Sequence, residues 1–292
     1  MTSFSAEYFA FLRTIGPSSR LRLAPTPSGF LHPGNAINFV LNWLAARHAP
    51  GARLLLRIDD LDADRKRAEY VQDVFDTLHW LGLDWDEGPR DALDFEQHWS
   101  QHMRLALYHS TLDLLKERGH LFACAKSRRD LEPFKDRYPQ AFRSQNCSLD
   151  DPEVAWRIRT PDDFVLPDFV VRRRDGLPAY QIASLADDRY FGITHIVRGQ
   201  DLADSTAAQR YLAVCLDWAG FARVRILHHP LLLNDSGEKL SKSAGATALR
   251  RWREDGRGPA AIFQQTANLL NLDPAKAHSA EGLLHSLMKT EG

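Results

Sequence analysis

Leu23-Ala24-Pro25-Thr26-Pro27-Ser28-Gly29-Phe30-Leu31-His32-Pro33-Gly34-Asn35 is the stretch on which the reading of this chain turns. Before it, Arg20-Leu21-Arg22-Leu23 alternates as a half-buried strand does, and after it Ile37, Val40, Leu41 and Leu44 recur at helical spacing up to His48. The expected order is strand, stiff loop, helix. Pro25 and Pro27 fix φ and remove two backbone donors. Gly29 and Gly34 allow unusual backbone angles or the close approach of a ligand. A helix N-terminus offers unpaired N–H groups and the positive end of a dipole, which together suit a phosphate. His32 stands at that junction with a ring N–H able to donate to a phosphate oxygen. A plain βα turn of a parallel sheet would carry the same residues, and a second stretch separates the two readings.

That second stretch is Asn234-Asp235-Ser236-Gly237-Glu238-Lys239-Leu240-Ser241-Lys242-Ser243, a polar loop after the apolar run Leu231-Leu232-Leu233. Lysine is a mobile point charge that can follow phosphates through a reaction, and serine hydroxyls add adaptable donors. Taken together, His32-Pro33-Gly34-Asn35 and Lys239-Leu240-Ser241-Lys242-Ser243 resemble, in order and separation, the two signature motifs of class I aminoacyl-tRNA synthetases. The resemblance implies an α/β, Rossmann-like nucleotide-binding fold and an ATP-dependent ligase. Within that class, Leu81-Gly82-Leu83-Asp84-Trp85-Asp86-Glu87-Gly88-Pro89 resembles the glutamyl and glutaminyl branch. The run from Ala179 to Asp204 is similar to a short paralogue group, the glutamyl-Q tRNA(Asp) synthetases.

Composition agrees with an enzyme of this kind. The chain has 292 residues, 44% of them hydrophobic, enough for one large domain with an insertion or for two domains. No apolar run approaches the ~20 residues a membrane helix needs. The N-terminus reads as a short amphipathic helix without the pattern of a secretion signal. Three scattered cysteines, Cys124, Cys147 and Cys215, do not make a disulfide framework, so a cytoplasmic protein is expected. A net charge of -1 neither demands nor excludes nucleic acid. A monomer is expected, with no membrane partner.

Arg53 to Ile58 reads as a second, interior strand and ends in Asp59-Asp60-Leu61-Asp62, at the edge where open α/β sheets bind ligands. Asp62 or Asp64 is expected to cap the helix that begins near Ala68. By resemblance, Asp59 stands where glutamate-specific enzymes carry a glutamate that holds the substrate's amino group. A long helix is expected over about Phe95 to Arg118, with Trp99 and Met103 in its core stripe. From Leu121 to about Arg174 short apolar runs alternate with polar stretches, the mark of an insertion. In the paralogue group this insertion often holds zinc through two cysteines, a tyrosine and a further cysteine. Here Cys124 and Tyr138 match but Lys126 and Phe142 replace the other two ligands, and Cys147 is displaced by five positions. Lysine is a poor zinc ligand at neutral pH and phenylalanine is none, so no zinc is expected.

The insertion closes on Arg172-Arg173-Arg174, whose side chains alternate across a strand and turn. Arginine at a nucleotide cleft suits RNA phosphates, and Arg172 and Arg174 are taken as tRNA contacts. Arg198 follows the strand Ile193 to Val197 and can grip a carboxylate with two parallel hydrogen bonds. Asp204 or Ser205 is expected to cap the next helix, and the adjacent His228 and His229 point to opposite faces of a strand. After Ser243 there is room for about three short helices.

The expected organisation is residues 1–120 as the first half of the catalytic domain, 121–178 as an acceptor-side insertion, 179–245 as the second half with the lysine loop, and 246–292 as a short helical C-terminus. His32, Lys239 and Lys242 are the expected catalytic residues. ATP is assigned to Pro25, His32, Gly34, Asn35, Lys239, Ser241 and Lys242, with Mg2+ accompanying it. Glutamate is assigned to Arg22, Ala24, Thr26, Asp59, Tyr180 and Arg198. The resemblance implies glutamyl-adenylate formation and transfer to the queuosine base in the anticodon loop of tRNA(Asp). Four alternatives stay open: a truncated synthetase charging a tRNA 3′ end, a ligase with a small-molecule acceptor, a nucleotidyltransferase of the same superfamily, and a non-catalytic RNA-binding paralogue.

Overall fold

The structure is a computed structural model that describes residues 3–62, 64–134, 138–145, 147–231 and 248–291. Its contacts divide the chain into two compact units, one of 1–100, 192–201 and 224–292, the other of 101–191 and 202–223.

The first unit is built on parallel strands. β1 (Arg20–Leu23) pairs with β2 (Arg53–Leu56), Leu23 opposite Leu56. Leu21, Leu23, Leu54 and Leu56 are fully buried, as the alternation predicts for β1 and the continuous apolar run for β2. The helix Pro33–His48 packs against both strands through Val40, Leu41 and Leu44. Tyr8, from the helix Phe4–Leu12, donates its hydroxyl to Leu41 O at 2.6 Å.

A second parallel pair belongs to the same unit: His195–Gly199 and Arg225–His229. Thr194 N–H donates to Arg20 O at 2.9 Å, which sets the first of these strands beside β1. Asn42 is wholly buried, and its amide satisfies both backbone groups of Val197 at 2.9 and 3.3 Å. A polar residue thus fixes helix to strand within the core. Gly88 is needed where it stands: its φ is +109°, and a Cβ there would meet Leu56 O at 2.2 Å. Helices Leu249–Glu254, Ala260–Leu269 and Ala280–Glu291 complete this core with Leu249, Ile262, Phe263, Leu283 and Leu287.

The second unit holds an antiparallel sheet, in which β3 (Leu121–Cys124), β4 (Ala155–Ile158) and β5 (Val170–Arg172) lie in that order. Its longer helices are Leu105–Glu117, Tyr180–Tyr190 and Ala203–Cys215. Asp187 is fully buried and takes hydrogen bonds from Arg104 (2.8 and 2.9 Å), Gln101 (3.0 Å) and Tyr108 (2.8 Å), tying the first two helices together. By its contacts this unit runs from Gln101 to Phe191 and from Leu202 to Arg223.

Several local expectations need correction. The long helix over Phe95 to Arg118 is broken at Ser100, whose ψ of 141° ends the first segment and whose hydroxyl donates to Asp60 instead. With that break Met103 turns outward and is 61% exposed. The N-cap of Ala68–Trp80 is Arg67, with no side-chain cap, so neither Asp62 nor Asp64 holds that position. Leu202, not Asp204 or Ser205, is the N-cap of Ala203–Cys215. Among the described residues no helix is long and apolar enough to cross a membrane.

Candidate active site

In the first unit, the loop after β1 runs alongside the chain that leaves β2. Arg57 N–H donates to Leu23 O and Asp59 N–H to Pro25 O, both at 2.9 Å. The strand pairing is thereby extended past the strand ends, and Ala24, Pro25 and Thr26 lie against Arg57-Ile58-Asp59. Pro25 is buried and Thr26 exposed.

His32 is the N-cap of Pro33–His48, with φ −119° and ψ 167°, and Pro33 occupies the first helical position. Asn35 folds back to accept His32 N–H at 3.0 Å. The carboxamide of Asn35 thus shapes the turn that presents His32, a capping-box arrangement. Asn38 donates to Val197 O at 3.2 Å, which brings the strand end carrying Arg198 beside the N-terminal half of this helix. The structure therefore gathers His32, Gly34, Asn35, Pro25, Ala24, Thr26, Asp59 and Arg198 in one unit, on the loops and strand ends around a single helix N-terminus.

Charge is concentrated there and withdrawn from water. Arg22, Arg57, Asp59, Asp60 and Arg198 are all at most 5% exposed. Arg57 grips Asp59 in a two-point pair, Nε to Oδ1 at 2.6 Å and Nη2 to Oδ2 at 3.0 Å. Asp60 accepts from Ser100 at 2.7 Å and from Lys66 at 3.0 Å, and Lys66 also reaches Glu96 at 2.7 Å. Burial alone would pull the Lys66 ammonium down, but its bonds to Glu96 and Asp60 outweigh that and hold its pKa above the ordinary value. Arg22 and Arg198 are buried on the strands of this unit, and a guanidinium can bind carboxylate or phosphate at two points, while the helix N-terminus at His32 favours an anion by its dipole.

Arg57 was not singled out by sequence reasoning. The available signal was a charged residue inside the apolar run Leu54-Leu55-Leu56-Arg57-Ile58. Tyr180 is the first residue of its helix in the second unit and is 39% exposed. Lys239, Ser241 and Lys242 lie outside the described residues.

In the second unit, Tyr138 donates to Cys124 Sγ at 3.1 Å, and Gln145 reaches Tyr138 Oη at 2.9 Å and Phe142 O at 2.6 Å. Burial raises the Cys124 thiol, and the hydrogen bond from Tyr138 and the nearby Arg157 charge more than offset it, leaving its pKa lowered. Lys126 lies over the Phe142 ring at 4.9 Å and Arg157 over Tyr138 at 4.4 Å. Among the described residues no group of three or more His, Cys, Asp and Glu is placed to hold a metal ion. The three arginines have separate surroundings: Arg172 stacks on Trp156 at 4.8 Å, Arg173 pairs with Asp175 at 2.6 Å, and the exposed Arg174 donates to Ala125 O.

A parallel sheet with this loop and helix N-terminus is the arrangement of an α/β nucleotide-binding catalytic domain. The family described as "tRNA synthetases class I (E and Q), catalytic domain" matches residues 18–153 and 137–280. The chain belongs to that family, and it is a ligase. It is 42% identical, over 92% of its length and 89% of the relative's, to a protein of Synechococcus sp. (strain CC9605) named "Glutamyl-Q tRNA(Asp) synthetase". It is 32% identical to a "Glutamate--tRNA ligase" of Sulfurihydrogenibium sp. (strain YO3AOP1), over 84% of this chain and 56% of that one. Its fold matches a crystal structure of a glutamate tRNA ligase from Elizabethkingia meningosepticum with a TM-score of 0.70 at 21% identity, covering 92% of this chain and 64% of the other.

Proposed function

We propose that this chain activates glutamate with ATP and transfers the glutamyl group to the queuosine base in the anticodon loop of tRNA(Asp). A carboxylate oxygen of glutamate attacks the α-phosphorus in line, the bond to the bridging oxygen breaks, and pyrophosphate leaves. A hydroxyl of the queuosine base then attacks the acyl carbon, loses its proton, and AMP departs. Positioning and charge stabilisation carry most of such chemistry.

In this reading His32 and the helix N-terminus at Gly34 and Asn35, with Pro25 shaping the loop, receive the phosphates, and magnesium accompanies ATP. Lys239, Ser241 and Lys242 act on the same phosphates; their part rests on the sequence motif. Arg22 and Arg198 face the substrate's carboxylates, Asp59 its amino group, and Ala24 and Thr26 complete the pocket; Tyr180, a residue of the second unit, keeps the substrate role that the sequence resemblance gives it. Residues 121–178 act on the acceptor side, with Arg172 and Arg174 touching RNA. The arrangement of buried arginines around the His32 helix supports the activation step. The observation that carries the acceptor is the 42% identity to a protein named for glutamyl-Q tRNA(Asp), against 32% to a glutamate–tRNA ligase.

The test is ATP–pyrophosphate exchange with each of the twenty amino acids, with and without tRNA. Glutamate alone should support exchange. Exchange driven by another amino acid and not by glutamate would overturn the reading.

A further inference from the structure

Leu31, the residue before His32, is held from outside its own loop at both backbone groups. Its N–H donates to Asp73 Oδ2 at 2.8 Å, and its carbonyl accepts Leu249 N–H at 2.8 Å. Asp73 lies in the helix Ala68–Trp80 and Leu249 opens the helix Leu249–Glu254. These two helices are joined by Arg253, whose guanidinium pairs with Asp73 and donates to Thr77 Oγ1 at 2.7 Å. Asp73 and Thr77, one turn apart, are buried polar residues on a face otherwise made of Val71, Val74, Phe75 and Leu78. Next to Leu31, Phe30 is held by the same helices: Tyr70 meets its ring edge-on at 4.9 Å and Arg250 stacks on it at 4.8 Å.

A carboxylate buried in an apolar face is costly, and a single apolar residue there would pack at less cost. Fixing a backbone N–H at one point is what a carboxylate in this place does and an apolar side chain cannot. The loop itself has stiff prolines up to Pro27, then Ser28 and Gly29, where stiffness lapses. The clamp acts immediately after that lapse and immediately before His32.

We propose that Asp73, tied down by Arg253, is a positioning residue for the phosphate-binding turn: it sets the height of Leu31 and so the placement of His32 and of the helix N-terminus that receives ATP. The inference rests on the ATP-binding role proposed above for that turn. In phosphoryl chemistry a displacement near 1 Å is worth up to roughly 100-fold, so loss of the clamp should be visible in binding as well as in rate.

The test is the Kd for ATP, measured by calorimetry without amino acid and well below each variant's Tm. Asp73→Asn, which turns donors toward Arg253, and Arg253→Met should each weaken ATP by about tenfold. Arg253→Lys, which keeps the charge on Asp73, should stay within about threefold of the wild type. The double variant Asp73→Asn/Arg253→Met should be no weaker than the worse single one, as expected of residues acting through one contact. Variants that melt earlier but bind ATP as the wild type does would show a structural role only and overturn the proposal, as would additive losses. Because ATP binding is read without glutamate, failure of the wild type to activate glutamate leaves this result readable and counts against the proposed function alone. A wild type that binds no ATP would overturn both.

Discussion

The Asp59 carboxylate lies flat against the Arg57 guanidinium, both at most 5% exposed, with contacts of 2.6 and 3.0 Å. The Asp59 side chain is therefore held rigidly near the strand end, with its charge offset by a neighbour two residues away. Removing it takes a charged acceptor from a buried guanidinium. Asp59→Ala should lower unfolding stability by about 1.5–3 kcal/mol, the worth of a hydrogen bond to a charged group, and raise the KM for the amino acid. Urea unfolding checks the first part, and an unshifted midpoint would contradict it.

Stability should also fall on mild acidification. Burial pulls the His195 imidazole below its ordinary pKa, with the Arg225 charge adding to this and a bond at Thr14 opposing it. Its nitrogens sit 2.8 Å from Thr194 Oγ1 and 3.2 Å from Thr14 Oγ1. His229 is lowered by burial in the same direction. The unfolded chain binds the proton more readily than the fold does, so this contribution is complete above the ordinary histidine pKa of about 6.5 and is lost as pH falls from there toward the folded value. Tm measured between pH 7.5 and 5 should drop, and the drop should be smaller in His195→Gln. An identical pH profile in that variant would contradict the assignment.

For the lysine loop, Lys242→Ala should reduce glutamate-dependent pyrophosphate exchange by roughly 100-fold or more, the usual scale for a cation on developing phosphate charge. Exchange at the wild-type rate would remove Lys242 from the site.

The insertion is expected to stand without zinc. Gln145, Tyr138 and Cys124 are already bound to one another, and Lys126 is engaged with the Phe142 ring. Purified protein should carry no stoichiometric zinc, and a chelator should leave Tm unchanged. One zinc per chain by metal analysis would contradict this.

Much of the first unit could be read from the sequence because its signals are local. Alternation in Arg20–Leu23, the continuous run at Arg53–Leu56 and the helical spacing after Pro33 each depend on near neighbours. The break at Ser100 could not be read, because it depends on a hydroxyl finding Asp60 forty residues away. The same holds for Asp73 and Arg253, which are 180 residues apart and look like ordinary surface charges until the fold pairs them. That the Asn35 side-chain oxygen accepts the His32 N–H could not be read either, since it depends on how the turn closes. Three arginines in a row gave no hint of which would stack, which would pair and which would stay exposed.

The most direct test is transfer of labelled glutamate to an isolated anticodon stem-loop of tRNA(Asp) carrying queuosine. The stem-loop should be labelled, the same stem-loop with guanosine should not, and Arg174→Ala should weaken transfer without changing adenylate formation. Transfer, unlike activation, should fall steeply with added salt, as phosphate contacts require. Glutamate found only on a tRNA 3′ end, with the queuosine stem-loop unlabelled, would contradict the account.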